Sequence, residues 1–144
     1  MGTKYPIGEV GPVREFLGAT IDQNLDEGTM SMSQTRYLES LLTKFSKYRL
    51  RSTPIPMKLT GFFGQYQELC DQHDHRVYRE IVGSLLYMSI WTRPNIAFSV
   101  SIWSRFLQRP AKIHLDLAFQ VLGYLKWKPL PRFTFHQDRK LDIV

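Results

Sequence analysis

The chain opens with two short stretches of alternating character around a turn signal. Apolar residues are spaced along 13–23, and positions 29–33 alternate between polar and apolar side chains. Asp26-Glu27-Gly28 lies between them and is rich in residues that favour turns. This pattern predicts a β-hairpin, with one strand reaching about Gln23 and a return strand reaching about Ser33.

Four later stretches repeat apolar residues at helical spacing. Ser33 fits a helix N-cap, and the stripe that follows predicts a helix ending near Ser46 or Lys47. Three more helices are predicted over 76–90, from Pro94 to about 107, and over 113–127. The connection over 48–75 lacks periodicity, and its Thr53-Pro54-Ile55-Pro56 run predicts an extended backbone.

The end of the chain returns to strand-like character. Phe133-Thr134-Phe135 and Leu141 to Val144 predict short strands around an Asp138-Arg139-Lys140 turn. The whole pattern predicts an α+β fold: a β-hairpin, a mainly helical region and a short terminal strand pair. We divide it into 1–33, then 34–127 with the loop 48–75, and finally 128–144.

Composition favours a folded, basic protein. Apolar residues make up 43% of the chain, which is enough for a packed core. Lys and Arg number 19 against 13 Asp and Glu, so the net charge is +6 and an anionic partner such as nucleic acid is favoured. A single cysteine, Cys70, excludes an internal disulfide framework and favours a reducing intracellular compartment. No apolar run is long enough to span a bilayer, so no membrane partner is expected.

A series of short motifs carries a more specific signal. In chain order they are Phe16-Leu17-Gly18, Ser33-Gln34-x-x-Tyr37-Leu38 with Leu41-Leu42, Thr53-Pro54, Tyr78-Arg79-x-x-Val82-Gly83-Ser84-Leu85-Leu86-Tyr87, Thr92-Arg93-Pro94, Ser104-Arg105-Phe106, Pro110, His114 and Tyr124-Leu125-Lys126. The series resembles the copia-type reverse transcriptase domain of retrotransposon polyproteins. The resemblance covers nearly the entire chain, and it is strongest in the Val-Gly-Ser-Leu-Leu-Tyr and Thr-Arg-Pro blocks.

The resemblance implies which part of that domain this is. The catalytic Tyr-x-Asp-Asp loop of such RNA-directed DNA polymerases is expected upstream of Met1, and no Asp-Asp pair occurs in the chain. A ribonuclease H domain is expected beyond Val144. What remains resembles the end of the palm, the thumb and the connection. The parent enzyme would use Mg²⁺, whereas this part is predicted to be inactive alone and to hold no cofactor.

The implied partners follow from the same resemblance. They are an RNA or DNA template–primer, the palm and fingers regions upstream and the ribonuclease H region downstream. Cytoplasmic particles and the nucleus are the implied locations. The alternative is a non-enzymatic remnant of a retroelement that acts as a helical interaction module. A metal site built from Cys70, His73 and His75 is not favoured, because the spacing does not match common zinc modules.

The hairpin is expected to contact the primer. By resemblance, Phe16, Leu17 and Gly18 belong to a primer grip, a strand pair that presses its backbone against the primer terminus. Gly18 suits this role because the missing side chain allows close approach to a phosphate. From the residues alone, Gly18 marks a β-bulge and the two apolar residues belong to the core.

The second predicted helix is expected to lie along the minor groove of the duplex. Gly83 and Ser84 would let sugars come close, while Arg79 and Arg93 would reach phosphates, without reading sequence. The alternative is that the small residues let another helix pack closely and that the arginines are solvated. Arg105 belongs to the second of two basic stretches, of which at least one is expected to contact phosphates, the alternative being a solvated face. The first stretch contains Lys44, Lys47, Arg49, Arg51 and Lys58, and the second contains Arg93, Arg105, Arg109, Lys112, Lys126 and Lys128.

Two departures from the family pattern stand out. Asn95 occupies a position where the family usually has Asp, and Gly123 occupies one where a basic residue is common. Asn95 is still expected to cap or hydrogen-bond, but it lacks a charge that would pair with an arginine. These changes indicate a divergent or decaying element. His114 is expected to have a capping or packing role.

Overall fold

The computed structural model describes residues 11–58, 68–129 and 132–137. Its strands are β1 (Glu15–Phe16), β2 (Ala19–Asn24), β3 (Thr29–Ser33) and β4 (Phe133–His136), and its α-helices are α1 (Thr35–Lys44), α2 (Gln72–Trp91), α3 (Ala97–Trp103) and α4 (Lys112–Trp127). Short 3₁₀ helices cover Ser46–Tyr48, Pro94–Ile96 and Ser104–Phe106. The predicted α+β class is confirmed.

The predicted hairpin is formed by β2 and β3. The two strands pair antiparallel, with Asn24 opposite Thr29. The side chain of Asn24 accepts hydrogen bonds from the amides of Asp26 and Glu27, at 3.1 and 3.2 Å, and so closes the turn locally. Gly28 completes the turn with a φ of +62°. The turn signal in the sequence therefore has the expected structural role.

β4 joins the hairpin across the length of the chain. Within the described ranges the sheet has four antiparallel strands in the order β1-β2-β3-β4. Phe133 lies opposite Met32 and His136 opposite Thr29. The predicted strand at 133–135 is thus present and extends the hairpin, while Leu141 to Val144 and the turn before them lie outside the described residues.

The start of α1 differs from the prediction. Ser33 ends β3, and the N-cap position belongs to Gln34, whose side chain makes no capping hydrogen bond. The side chain of Gln34 is buried instead, and its Oε1 accepts a hydrogen bond of 2.6 Å from the hydroxyl of Thr92. Because Thr92 follows α2 directly, this bond ties two of the motif blocks together inside the protein.

α2 is the central helix of the core and begins four residues before the predicted Arg76. The carboxylate of Asp71 caps it by accepting a hydrogen bond of 2.8 Å from the amide of Asp74. This bond also lowers the pKa of Asp71. α2 packs against both α3 and α4. The buried core contains Leu38, Leu41, Phe45, Val77, Tyr78, Ile81, Val82, Leu85, Met88, Ile96, Val100, Trp103, Leu115, Ala118, Val121, Leu122, Tyr124 and Leu125.

An extended segment, residues 49–58, crosses the outer side of α4, and we call it the strap. It has neither helix nor strand, in line with the extended backbone predicted around its prolines. The Nζ of Lys126 donates to the carbonyl of Leu50 at 3.3 Å. One turn earlier, the amide of Thr53 donates to the carbonyl of Gly123 at 3.4 Å. The strap therefore runs antiparallel to α4.

Gly123 is what allows this crossing. It is buried, and a Cβ added to it would overlap the carbonyl oxygen of Arg51. A longer side chain at this position is incompatible with the path of the strap. The departure from the family pattern at Gly123 thus has a physical reason, because the backbone of the strap passes directly over the helix there.

Candidate nucleic-acid interface

The tip of the β1–β2 hairpin is exposed. Phe16 pairs with Ala19, which leaves Leu17 and Gly18 as the turn. Both have positive φ, +50° and +79°, as in the type I′ turns that suit the twist of a β-hairpin. Phe16 is 52% exposed and Leu17 64% exposed. Neither residue belongs to the core, so the core alternative for them is wrong.

Tyr87 of α2 holds this tip in place. Its hydroxyl donates a hydrogen bond to the carbonyl of Leu17. A Cβ added to Gly18 would lie 3.1 Å from the same hydroxyl oxygen, and Gly18 also needs its positive φ. The ring of Phe16 lies 6.0 Å from that of Trp91, one turn further along α2. Gly18 is therefore required by a turn and a close contact rather than by a bulge.

α2 turns one row of side chains to the outside. Its members are exposed and follow each other three or four residues apart, so they share one face of the helix. The row consists of Arg76, Arg79, Gly83, Leu86 and Ile90, and we call it the α2 stripe. Ser84 is half-buried at its edge. Because Tyr87 and Trp91 contact the hairpin tip, the tip lies beside the second half of the stripe.

Gly83 lies in the middle of the stripe without an internal reason for being glycine. A Cβ added to it would meet no atom within 4 Å in the described part of the chain, apart from its neighbours and the backbone of its own helix. Its φ is not positive either. Among the described residues, no helix packs close to Gly83, so none of them accounts for the glycine.

Arg93 is not part of this surface, and the prediction that it contacts a phosphate is wrong. It is 1% exposed, and one guanidinium nitrogen donates to the carbonyl of Lys128 at 2.7 Å. Burial lowers its pKa. The guanidinium also lies 5.9 Å from the ring centre of Tyr124. Arg93 therefore binds the end of α4 inside the protein. The sequence did not predict this burial, because arginines are rarely fully buried and are normally expected to face solvent or a phosphate.

Asn95 completes the surroundings of Arg93. Its Oδ1 accepts from the Nε of Arg93 at 3.3 Å, and its Nδ2 donates to the hydroxyl of Tyr124 at 2.8 Å. The expected hydrogen-bonding role of Asn95 is confirmed. Among the described residues no carboxylate pairs with Arg93, so this cation is buried with neutral partners only.

Arg105 is exposed but lies away from the hairpin tip. Its 3₁₀ helix follows α3, and the residues after it meet the first turn of α2, where a ring nitrogen of His75 lies 2.7 Å from the carbonyl oxygen of Leu107. The structure thus places Arg79 and Gly83 on one face of α2 with Ser84 at its edge, and the tip with Phe16, Leu17 and Gly18 beside the second half of that helix. Arg93 is internal, and Arg105 lies near the opposite end of α2.

Sequence reasoning missed the residues that connect the two parts of this surface. Tyr87 and Tyr78 both belong to the motif series, but the motifs alone give their hydroxyls no partner. The hydroxyl of Tyr87 binds the hairpin, and that of buried Tyr78 donates to the carbonyl of Trp103 at 2.6 Å. Burial raises the pKa of Tyr78. The contact of Trp91 with the hairpin could have been inferred from the sequence, since Trp91 lies four residues after Tyr87 and therefore on the same side of the helix.

His114 and His73 make contacts within the fold. The Nδ1 of His114 accepts a hydrogen bond of 2.9 Å from the amide of Ala111, and its ring stacks on Phe106 at 3.9 Å. This confirms the capping and packing role. Burial lowers the pKa of His114. In the described part of the chain, no three side chains of the metal-binding types cluster, and Nε2 of His73 lies 3.4 Å from the hydroxyl of Tyr48.

Membrane insertion finds no support in the helices. No helix within the residues that the structure describes combines the length and the apolar character needed to cross a bilayer.

Comparison with known proteins links the chain to mobile elements. It is 34% identical to a putative transposon Ty5-1 protein of Saccharomyces cerevisiae, over 84% of this chain and 39% of that protein. It is 28% identical to the retrovirus-related Pol polyprotein from transposon TNT 1-94 of Nicotiana tabacum, over 88% of this chain and 10% of that polyprotein. It is also 29% identical to an uncharacterised mitochondrial protein of Arabidopsis thaliana, over 99% of this chain and 58% of that protein.

These relatives support the resemblance at a coarser level than the motifs do. No family model matches the chain. No solved structure matches it either. The chain spans from 10% to 58% of the length of the three relatives. It is therefore similar to retrotransposon Pol polyproteins, and its assignment to the reverse transcriptase part stays a prediction.

Proposed function

We propose that this chain is the part of a retrotransposon reverse transcriptase that holds the template–primer duplex. Contact is made by the α2 stripe and by the hairpin tip beside it. The catalytic aspartates and their Mg²⁺ are supplied by neighbouring sequence of the parent polyprotein, as are the palm, fingers and ribonuclease H regions. The resemblance to the copia-type reverse transcriptase domain supports this assignment, together with the similarity to Pol polyproteins.

The observation that carries the proposal is the open space over Gly83. A glycine inside a helix lowers helix stability by about 1 kcal/mol relative to alanine. Nothing in the described part of the chain uses the missing side chain. A partner that approaches α2 closely would explain the glycine, and a sugar–phosphate backbone lying across the helix needs such a flat position. The neighbouring Ser84 also has a small side chain, so a partner can approach closely at the edge of this position.

Charge and apolar surface are distributed along the stripe in a way that suits this partner. Arg76 and Arg79 present two exposed guanidinium groups on the first half of the stripe. They would neutralise phosphates without reading base sequence, which a polymerase requires. The exposed Phe16 and Leu17 lie beside the second half, where they would pack against sugars of the terminal nucleotides.

A salt titration tests duplex binding. A fluorescently labelled primer–template duplex is mixed with the whole chain at several salt concentrations, and anisotropy gives the affinity. We expect binding that weakens steeply with salt, because released counterions drive it. The variant R76Q/R79Q should reduce the salt slope by about 2, since each lost phosphate contact removes about 1 from the slope. Salt-insensitive binding, or a slope unchanged in this variant, would count against the proposal.

A steric variant tests the role of Gly83 separately. Gly83→Leu places a side chain in open space, so the fold should be as stable as before or more stable. Duplex affinity should nevertheless fall by about tenfold or more, or about 1.4 kcal/mol. The matched control is Ser101→Leu on the exposed side of α3, which should leave the affinity within about twofold. Equal affinities for the two variants would remove the support that Gly83 gives.

The second candidate function is that of a helical interaction module left by a retroelement. The apolar half of the α2 stripe favours it, since Ile90 is 73% exposed and Leu86 is 41% exposed. The two functions separate in the same experiments. If this face binds a partner protein through Leu86 and Ile90, we expect no duplex binding. Ile90→Ser should then change assembly with that partner protein instead.

A further inference from the structure

A cleft of about 540 Å³ lies between the strap and α4, apart from the α2 stripe. Small-ligand sites typically range from about 300 to 1,000 Å³. Its walls come from Tyr48 and residues 49–53 with Lys58 on one side, and from Asp116, Phe119 and Gln120 of α4 on the other. The cleft depends on the crossing at Gly123, because that crossing fixes the distance between the strap and the helix.

Cations dominate the strap side of the cleft. Arg49, Arg51 and Lys58 line it, and all three are exposed. None of them forms an ion pair within the described residues, whereas Lys44 of the same basic stretch pairs with Glu80. Ser52 and Thr53 add hydroxyl groups between the cations. Guanidinium groups bind phosphate through paired, charge-assisted hydrogen bonds, so this side suits a phosphate.

An aromatic wall joins the two sides of the cleft, and the α4 side adds two polar groups. The rings of Tyr48 and Phe119 lie 4.6 Å apart, with 32° between their planes. The hydroxyl of Tyr48 lies 3.4 Å from Nε2 of His73, which fixes the ring relative to α2. Asp116 and Gln120 lie beside this wall, and their oxygens are acceptors for the amino groups of a base. Burial of the Asp116 carboxyl raises its pKa, as does nearby Asp74.

We propose that this cleft binds a nucleoside 5′-monophosphate group, either a free nucleotide or the unpaired end of a nucleic-acid strand. The phosphate lies against Arg49, Arg51 and Lys58, and the base packs on Tyr48 and Phe119. A bare anion would use only the strap side and would face the carboxyl of Asp116. The nucleotide is favoured because it uses both sides. This site does not depend on duplex binding at the α2 stripe.

The test is a nuclear magnetic resonance titration of the whole, isotopically labelled chain. The probes are adenosine 5′-monophosphate, adenosine, inorganic phosphate and a 5′-phosphorylated tetranucleotide. We expect the mononucleotide to shift amide signals of residues 48–53 and 116–123, with an affinity at least about tenfold above that of adenosine or phosphate alone. Equal effects of phosphate and mononucleotide would overturn the proposal, as would shifts confined to other residues or none at all.

The tetranucleotide distinguishes the two sources of the ligand. Tighter binding than the mononucleotide, with the same signals shifted, assigns the site to a strand end. Equal binding assigns it to a free nucleotide. Both results support the cleft, whereas tetranucleotide shifts restricted to the α2 stripe count against it.

Charge-removing variants localise the phosphate. In R49Q/R51Q both changes lie on exposed side chains, and the affinity for the mononucleotide should fall about tenfold or more. The control R14Q/R36Q removes the same total charge from exposed residues outside the cleft and should change affinity by less than about twofold. Equal losses of affinity in the two variants would show that the effect depends on net charge alone, and would overturn the proposed site. Spectra of both variants without ligand check that the fold is intact.

Discussion

The helices and the sheet of this protein differ in how they use apolar side chains. In α2, α3 and α4 the apolar residues face each other, and most of the core residues are less than a tenth exposed. In the sheet, Ala19 is buried, but Phe16, Leu17, Met30 and Phe135 are at least 41% exposed. The helices thus hold the fold together, while the sheet keeps its apolar surface available for contact.

This difference places most of the stabilising contacts in the helical part and a large share of the exposed apolar surface in the sheet. Truncation of a side chain should affect stability in the helical part and affinity in the sheet. The hairpin tip and the α2 stripe meet at Tyr87, which belongs to the stable part and positions the exposed one.

The largest effect is expected from a cavity in the helical core. Leu85 is 1% exposed, so Leu85→Ala should lower the free energy of unfolding by about 2–5 kcal/mol. Met30→Ala in the sheet removes a side chain that is partly in water and should lower it by less than about 1 kcal/mol. Urea denaturation followed by circular dichroism measures both. Similar losses would remove the distinction between the two parts.

The next effect concerns the buried cation of the core. Asn95→Asp places a carboxylate beside the Nε of Arg93, which now has neutral partners. We expect a gain in stability of about 1 kcal/mol, because hydrogen bonds between charged groups are stronger than those between neutral groups. The control is Asn24→Asp in the β2–β3 turn, where the new carboxylate keeps the two acceptor bonds. It should change stability by less than about 0.5 kcal/mol. Thermal unfolding of both variants at neutral pH is the measurement, and a loss in N95D would contradict the account of Arg93.

A smaller gain is expected at the hairpin tip. Leu17 has a positive φ, which disfavours residues with a bulky side chain, and asparagine tolerates it better. Leu17→Asn should therefore stabilise the fold by about 0.5–1 kcal/mol and weaken duplex binding, if the tip contacts the primer. Leu25→Asn provides the control, since Leu25 is 77% exposed and is not among the residues with positive φ. If L17N and L25N are equally stable, the turn stores no strain at Leu17.

The last prediction changes a pH dependence rather than a stability level. Burial lowers the pKa of His114 from an ordinary value of 6.5, so the folded state favours the neutral ring. The stability from this residue is complete above that ordinary value and decreases as the pH falls through it towards the lowered pKa. Urea midpoints between pH 8 and pH 5 should fall less steeply in His114→Asn than in the natural chain. His136→Asn, in the exposed β4, should keep the original slope.

The helices could be predicted from the sequence because each carries an apolar stripe at helical spacing. Their ends were harder to place. Asp71 caps α2 with its side chain, but the polar residues that follow it resemble a loop in the sequence. Gln34 replaces Ser33 at the start of α1, since the backbone of Ser33 is already part of β3.

The candidate site was predictable only in part, for reasons of distance along the chain. The hairpin tip and the helix with Gly83 were each identified from motifs, but Tyr87 joins them across 70 residues. The burial of Arg93 depends on the end of α4, 35 residues away, and no local pattern reveals it. Gly123 resembled a loss of a basic residue until the path of the strap gave it a reason.

The pairing of β3 with β4 has a consequence for synthesis of the chain on the ribosome. Thr29 emerges early, whereas its partner His136 follows about a hundred residues later. Throughout that interval one edge of the nascent hairpin has unpaired amides and carbonyls, which invite pairing with other chains. Expression that stops before Phe133 should therefore yield aggregates more readily than the longer product does.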